Sequence, residues 1–167
     1  MNHFELFNLP AAFQLDAAEL QQRYRKLQQT MHPDRFANGS ERDKLLAVQR
    51  TAQLNDAYQT LRSPLSRAEY LLELRGIDLA HEQTTLQDPE FLMAQMEWRE
   101  RIEEVDDWES LDAAYKDLQE QMRDLQAELE GFLAEDANDD AAITVRKLKF
   151  MHKLHHELER IEEQIRY

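Results

Sequence analysis

Apolar side chains recur along this chain at steps of three and four, and the pattern is interrupted at only a few places. That spacing predicts helix almost throughout. Asp16-Ala17-Ala18-Glu19 has the spacing of a capping box, with Asp in place of Ser or Thr, and Leu20, Tyr24, Leu27 and Met31 then share one face. Pro33 closes that helix, because it biases His32 out of the α region, and Asp34 suits a turn. Asn38-Gly39 is a second turn signal, and Ser40 caps a helix whose apolar stripe is Leu45/Leu46, Val48, Ala52, Leu54, Tyr58 and Leu61. Ser63-Pro64 restarts a helix with Pro in its first turn; Leu65, Ala68, Leu71/Leu72 and Leu74 line it, and Gly76 ends it. The stretch from Ile77 to Gln87 is polar and irregular and marks a boundary, although Ile77 and Leu79 suggest that it packs on something.

Beyond the boundary the period continues. Asp88-Pro89 opens a helix as cap and first residue, with Phe91, Trp98, Ile102 and Val105 as its core face. Trp108, Leu111, Tyr115, Leu118, Met122, Leu125, Leu129 and Phe132 then form a seam like that of a coiled coil, on a helix of roughly 40 Å at about 1.5 Å per residue. Residues 134–140 read as a turn. The last helix carries Val145, Leu148, Met151, Leu154, Leu158, Ile161 and Ile165, so three antiparallel helices make a small bundle. The scarcity of Gly (3) and Pro (4) supports an all-α fold.

Charge divides the chain at the same boundary. Residues 1–75 carry ten Lys/Arg against nine Asp/Glu, a net of +1; residues 76–167 carry ten against twenty-five, a net of −15. Two units with different partners are expected, 1–75 and 88–167, joined by a linker over 76–87. The acidic unit should repel a phosphate backbone, so nucleic acid is not an expected partner. No apolar run approaches the ~20 residues of a membrane span. There is no Cys, hence no disulfide or thiolate site, which fits a reducing compartment. The start of the chain lacks the layout of a signal or transit peptide, and a soluble cytoplasmic protein is the expectation.

Catalytic signatures are mostly absent. There is no phosphate-cradling Gly-rich loop, no Gly-x-Ser-x-Gly, and no His with a Glu three positions before it as a di-iron bundle requires. His32 and Asp34 have no nucleophile pattern beside them. His152, His155 and His156 place two imidazoles one helical turn apart, a spacing that can chelate a metal, but the plainer reading is solvated His on a helix face. No enzyme activity, metal or cofactor is expected. Arg23, Arg25 and Lys26 form a basic cluster on the helix before His32; they serve either as a solvated face near a helix C-terminus or as a surface that steers an acidic partner.

His32-Pro33-Asp34 arises by chance in roughly one chain in a hundred of this length. Its flanks are more specific. Tyr24-Arg25-Lys26-Leu27 before it, and Asn55-Asp56-Ala57-Tyr58, Ser63-Pro64 and Arg67-Ala68-Glu69-Tyr70 after it, resemble the J-domain of chaperone partner proteins. The resemblance extends further. Phe4-Glu-Leu-Phe-Asn-Leu-Pro10, Asp88-Pro-Glu-Phe-Leu-Met-Ala-Gln-Met-Glu-Trp-Arg-Glu100 and Arg146-Lys-Leu-Lys-Phe150 are similar to the corresponding segments of the HscB family, J-type co-chaperones of iron–sulfur cluster assembly. It covers nearly the whole chain.

That resemblance implies an N-terminal J-domain, an antiparallel helical hairpin with the His-Pro-Asp turn, followed by a C-terminal three-helix bundle. It implies that Tyr24, Arg25, Lys26, His32, Pro33 and Asp34 dock on the ATPase of an HscA-type heat-shock chaperone. It also implies that Leu92, Met93, Met96, Glu97, Glu100, Glu104 and Phe150 hold an IscU-type scaffold. Arg35 stands where many relatives have Lys, Met96 where Leu is also found, and the Cys-rich N-terminal metal site of some eukaryotic relatives is missing. Helical geometry agrees with exposure at the second site. Met93 and Met96 lie roughly 140° to 200° from Phe91, and Phe150 about 80° from the middle of its helix's stripe, so its ring can join the same patch. Either an adaptable partner surface or another element of the fold covers these side chains. A J-domain adaptor for a different client, and a metal-binding helical protein, are the alternatives; a monomer is favoured.

Overall fold

A computed structural model describes residues 1–79 and 88–166. Seven α-helices and one 3-10 turn account for about four-fifths of them, and no strand occurs among the described residues. They are α1 (His3–Leu6), α2 (Ala17–Met31), the 3-10 turn (Pro33–Phe36), α3 (Glu41–Arg62), α4 (Pro64–Leu74), α5 (Pro89–Glu103), α6 (Trp108–Ala134) and α7 (Asn138–Arg166). The chain divides into two compact units, Met1–Leu71 and Leu72–Tyr167. The polar connection expected over 76–87 falls mostly on residues 80–87, outside the described residues.

In the first unit α2 and α3 form an antiparallel hairpin. Tyr24 stacks on Tyr58 at 4.0 Å with the rings 4° from parallel, and its hydroxyl donates to Asn55 Oδ1 at 2.7 Å. Farther along, the Thr51 hydroxyl donates to the Met31 carbonyl at 3.2 Å, tying α3 to the last turn of α2. Phe4, Phe7, Phe13, Leu20, Leu54, Ala57, Leu61 and Ala68 fill the core. The expected caps are present: Asp16 accepts from the Ala18 and Glu19 amides, and Ser40 from the Asp43 amide. Glu19, at the reciprocal position of a capping box, turns to Arg23.

One expectation is corrected here. Leu45 and Val48 are 58% and 53% exposed, Ala52 is exposed as well, and the inward positions are Ala47, Leu54, Ala57 and Leu61. α3 is 22 residues long and α2 is 15. With Met31 already opposite Thr51, the first turns of α3 run past the end of α2 and face only the short 3-10 turn. A small side chain, Ala47, suffices to close that gap.

α4 ends as its glycine predicts. Gly76 adopts φ +83°, the Ile77 amide donates to the Leu72 carbonyl at 2.9 Å, and the Gly76 amide to Glu73 at 2.9 Å, the paired bonds of a left-handed helix stop.

The second unit is built on α7. α6 and α7 are joined by only the three residues 135–137, so the last helix begins earlier than the 134–140 turn expected from sequence. Asp136 takes φ +57° there, and Arg75 holds the turn together: its guanidinium donates to the Leu133 carbonyl (3.0 Å) and Asn138 Oδ1 (2.9 Å) and lies 3.5 Å from the Asp136 carboxylate. This satisfies the Leu133 carbonyl, one of those that the end of α6 leaves without a helical partner. α5 runs parallel to α7 and antiparallel to α6, because Asp88, Phe91 and Arg99 meet Lys147, Phe150 and Glu157 in order, while Trp98 and Arg101 meet Gln121 and Asp117 in reverse. The core contains Trp98, Ile102, Leu111, Ala114, Leu118, Met151, Leu154 and Leu158. Trp108, expected on the seam, is 45% exposed at the first residue of α6; Ala114 and Leu133 are the buried positions that the larger side chains overshadow in the sequence.

Leu118→Ala should remove about 2–5 kcal/mol from this unit, read as a lowered guanidinium midpoint at unchanged slope, because the side chain is fully buried between packed helices. Leu92→Ala, on the outer face of α5, should change stability by less than about 0.5 kcal/mol. Equal losses would mean that the outer face of α5 is covered.

Candidate partner-docking surfaces

His32 ends α2 with φ −59° and ψ 133°, the extended conformation that a following proline imposes. The Pro33–Phe36 turn then projects the tripeptide outward. The Asp34 amide donates to His32 Nδ1 at 3.1 Å, and the Asp34 carboxylate lies 3.5 Å from the same nitrogen. Nδ1 serves one partner at a time: the neutral ring accepts from the amide, the protonated ring donates to the carboxylate. The Arg35 amide donates to the His32 carbonyl at 3.0 Å, and Gly39 to Phe36 at 2.9 Å, so the turn is closed by its own backbone. His32 and Asp34 are exposed, Pro33 is half-buried. Beside the turn Met31, Phe36, Leu46 and Arg50 line a hollow of about 220 Å³.

The basic cluster on α2 is not uniform. Arg23 points back along the chain and donates to the carbonyls of Phe7 (2.7 Å) and Asn8 (2.6 Å), pinning a turn in which Asn8 has φ +53°. Arg25 and Lys26 remain on the exposed face. Tyr24 is half-buried in the hairpin seam, so most of its ring supports the helix rather than facing outward. The turn and the basic face are therefore brought onto one hairpin, with Arg25, Lys26, His32 and Asp34 its solvent-facing members.

On the second unit Asp88 caps α5 by accepting from the Glu90 (3.1 Å) and Phe91 (3.3 Å) amides, and Lys147 lies 3.4 Å from its carboxylate. The Phe91 amide is the largest influence and lowers its pKa; desolvation opposes it, and Lys147 and the Glu90 amide lower it further. With α5 started in this register, Phe91, Trp98 and Ile102 turn inward. Leu92, Met93 and Met96 turn outward, 51%, 62% and 65% exposed, with Glu97, Glu100 and Glu104 exposed beside them. Phe150 is half-buried: its ring meets Phe91 at 84° with centroids 5.7 Å apart, and it packs against the core cluster. Its outer side forms part of a groove of about 530 Å³ that Met96, Glu100, Gln95, Arg99 and Lys153 also line. Met96, Glu100 and Phe150 thus share one groove, while Met93, Glu97 and Glu104 follow the next stripe of the helix. Arg99 and Lys153 were missed in the sequence. Arg99 sits three residues after Met96, on the same stripe, which is the signal that could have found it.

The histidines of α7 lie on its other side. His155 Nδ1 is 2.7 Å from Glu159, its ring centroid 5.4 Å from that of Tyr115. Burial first, then the Tyr115 hydroxyl bond to Glu162, push the Tyr115 pKa up to about 12. No group of three or more His, Cys, Asp or Glu suited to a metal ion occurs among the described residues. No helix among them is long and apolar enough to cross a membrane.

A His-Pro-Asp hairpin followed by a helical bundle with an exposed apolar stripe defines a J-domain protein with a second, helical domain. Comparison with known proteins agrees: residues 2–70 match the DnaJ domain family, and residues 87–159 match the HSCB C-terminal oligomerisation domain. The co-chaperone protein HscB homolog of Shewanella loihica is 53% identical over 170 residues, covering 98% of each chain. Among solved structures, chaperone HscB from Vibrio cholerae is 48% identical with a TM-score of 0.89 and covers 99% of both chains. Human co-chaperone HscB is 26% identical with a TM-score of 0.93, covering 97% of this chain and 82% of the human one. The chain belongs to the HscB family of J-domain co-chaperones, the family of iron–sulfur cluster assembly. No catalytic family is indicated.

Two measurements check this geometry. Phe150→Ala should cost about 2 kcal/mol of stability, because half of its ring is core, whereas Met93→Ala should leave stability within about 0.5 kcal/mol. The second concerns His152, whose pKa is lowered by burial first and by His155 and His156 next. The unfolded chain then binds that proton more readily, so the contribution is fully present above the ordinary value of 6.5 and is lost as pH falls through the folded pKa. Melting temperature should fall as pH drops below about 6.5, and His152→Gln should remove that part of the fall. Parallel curves for the two proteins would exclude His152 as the source.

Proposed function

We propose that this chain stimulates the ATPase of an HscA-type heat-shock chaperone through its J-domain and delivers an IscU-type iron–sulfur scaffold to it. The chaperone-facing residues are Tyr24, Arg25, Lys26, His32, Pro33 and Asp34, with Tyr24 holding the helix and the others making contact. The scaffold-facing residues are Leu92, Met93, Met96, Glu97, Glu100, Glu104 and Phe150. The division of labour is 1–75 for the chaperone and 88–167 for the scaffold, with 76–87 as the connection. The protein acts in the cytoplasm as a monomer, which light scattering tests directly.

The observation that carries the proposal is the outward apolar stripe of α5. Three large apolar side chains, each more than half exposed, lie together on a highly charged helix. Such a patch marks a docking surface, and methionines repack at low cost against a partner. The adjoining glutamates favour a partner with a basic rim and raise its association rate. On the J-domain side, Arg25 and Lys26 offer the opposite charge and steer an acidic surface toward the exposed turn. Holding chaperone and client on one chain raises the effective concentration of each for the other, so two modest affinities add to a selective delivery step.

The deciding experiment is chaperone ATPase stimulation with and without scaffold. His32→Gln should abolish stimulation while leaving scaffold capture and melting temperature unchanged; a large loss of stability would make His32 structural. Leu92→Ala/Met93→Ala/Met96→Ala should weaken scaffold binding at least thirtyfold, about 2 kcal/mol or more, while basal stimulation persists. If wild-type protein fails to bind the scaffold but still stimulates the chaperone, the client is a different protein.

A further inference from the structure

Arg99 has a placement that neither its own helix nor the docking stripe accounts for. Its guanidinium carbon lies over the Phe150 ring, 5.6 Å from the centroid, and one guanidinium nitrogen lies 2.6 Å from Glu157 Oε1 on α7. Glu157 is seven residues beyond Phe150, two turns along the same face. The Glu157 side chain is only 21% exposed, against 44% for Arg99, so the acceptor is the fixed member of the pair. Phe150 is thereby held on two sides, by the Phe91 ring at 84° and by the guanidinium. Two neighbouring aromatics repeat the device. Lys147 lies 5.9 Å from the Phe91 centroid and pairs with Asp88; Arg101 lies 5.2 Å from the Trp98 centroid and pairs with Asp117 at 2.7 Å. At those positions the cation covers a buried ring. At Phe150 it covers a ring that opens into the groove.

We propose that Glu157, acting through Arg99, is a positioning residue for Phe150, holding the ring in the orientation that the scaffold meets. A cation anchored by a carboxylate limits ring motion, so binding orders fewer side-chain rotamers and affinity rises without a new contact. The inference rests on the scaffold-binding reading above and adds to it two residues, Arg99 and Glu157, with a role for each.

The test uses the full chain and purified IscU-type scaffold. Glu157→Gln and Arg99→Ala should each weaken binding about fivefold, chiefly through faster dissociation, and the double variant no more than either alone. Arg99→Lys should recover part of the affinity. The exchanged pair Arg99→Glu/Glu157→Arg should restore an ion pair between α5 and α7, and with it any lost stability, but not the affinity, because no cation then stands over the ring from α5. In the free protein, carbon-13 relaxation of the Phe150 ring should report larger amplitude motion in Glu157→Gln, a readout that needs no scaffold. Unchanged ring dynamics, or affinity restored by the exchanged pair, would overturn the proposal. So would Arg99→Ala weakening binding while Glu157→Gln leaves it intact, since Arg99 would then be a direct contact. Failure of wild-type protein to bind scaffold, with the ring dynamics as expected, would instead discard the scaffold reading and leave the positioning role standing.

Discussion

Val145, Leu148, Met151, Leu154 and Leu158 are buried on α7, which packs against both other helices of its unit. α6 covers most of its length as an antiparallel partner, and α5 fills the remaining side through Phe91, Trp98 and Ile102. The second unit depends on this double coverage. α5 has 15 residues, against 27 and 29 for its partners. It is an outer helix packed on one side, and a helix packed on one side leaves about half its circumference in water. Soluble helices normally fill that half with polar side chains. α5 places Leu92, Met93 and Met96 there, and the rest of the bundle supplies the stability that such a surface does not.

In the first unit the constraint is a helix end. Pro33 stops α2 beside the point where Thr51 grips it, so the turn that follows is held at its base by α3 and closed by its own amides. A short tripeptide loop on such a base loses little entropy when a partner meets it. The same economy appears in the two left-handed turns at non-glycine residues. Asn8 and Asp136 both take positive φ, and in each case an arginine braces the turn: Arg23 donates to the Phe7 and Asn8 carbonyls, and Arg75 to the Leu133 carbonyl and Asn138 Oδ1. Strain at these residues is offset by charge-assisted hydrogen bonds.

Electrostatics follows the same division. The J-domain is nearly neutral as a whole and cationic on one face, where Arg25 and Lys26 stay exposed while Arg23 turns to the Asn8 turn. The bundle is strongly acidic, yet its aromatic residues near α5 are covered by cations, each anchored by a carboxylate. Charge in this unit therefore does two different things: the outer glutamates act at long range, and the paired cations act on ring positions within a few ångströms. Only the first of these is screened strongly by salt.

Helix periodicity, the stop at Pro33, the glycine end of α4, the caps at Asp16, Ser40 and Asp88, and the outward phase of Leu92, Met93 and Met96 were all determined by the sequence alone. Each depends on bonds or angles within a few residues. Tertiary packing decided the rest. Leu45, Val48 and Trp108 carry the marks of core residues, but their surroundings end before reaching them, and the buried places go to Ala47, Ala57 and Ala114, whose small side chains make no periodic signal. Arg23 reads as part of a basic surface until the turn at Asn8 is placed beside it. Phe150 is half floor of the groove and half core, and Arg99 covers it only because α5 and α7 run parallel in a register that brings residue 99 opposite residue 157. No periodicity encodes that register; it is set by how Phe91 and Trp98 seat against the two long helices.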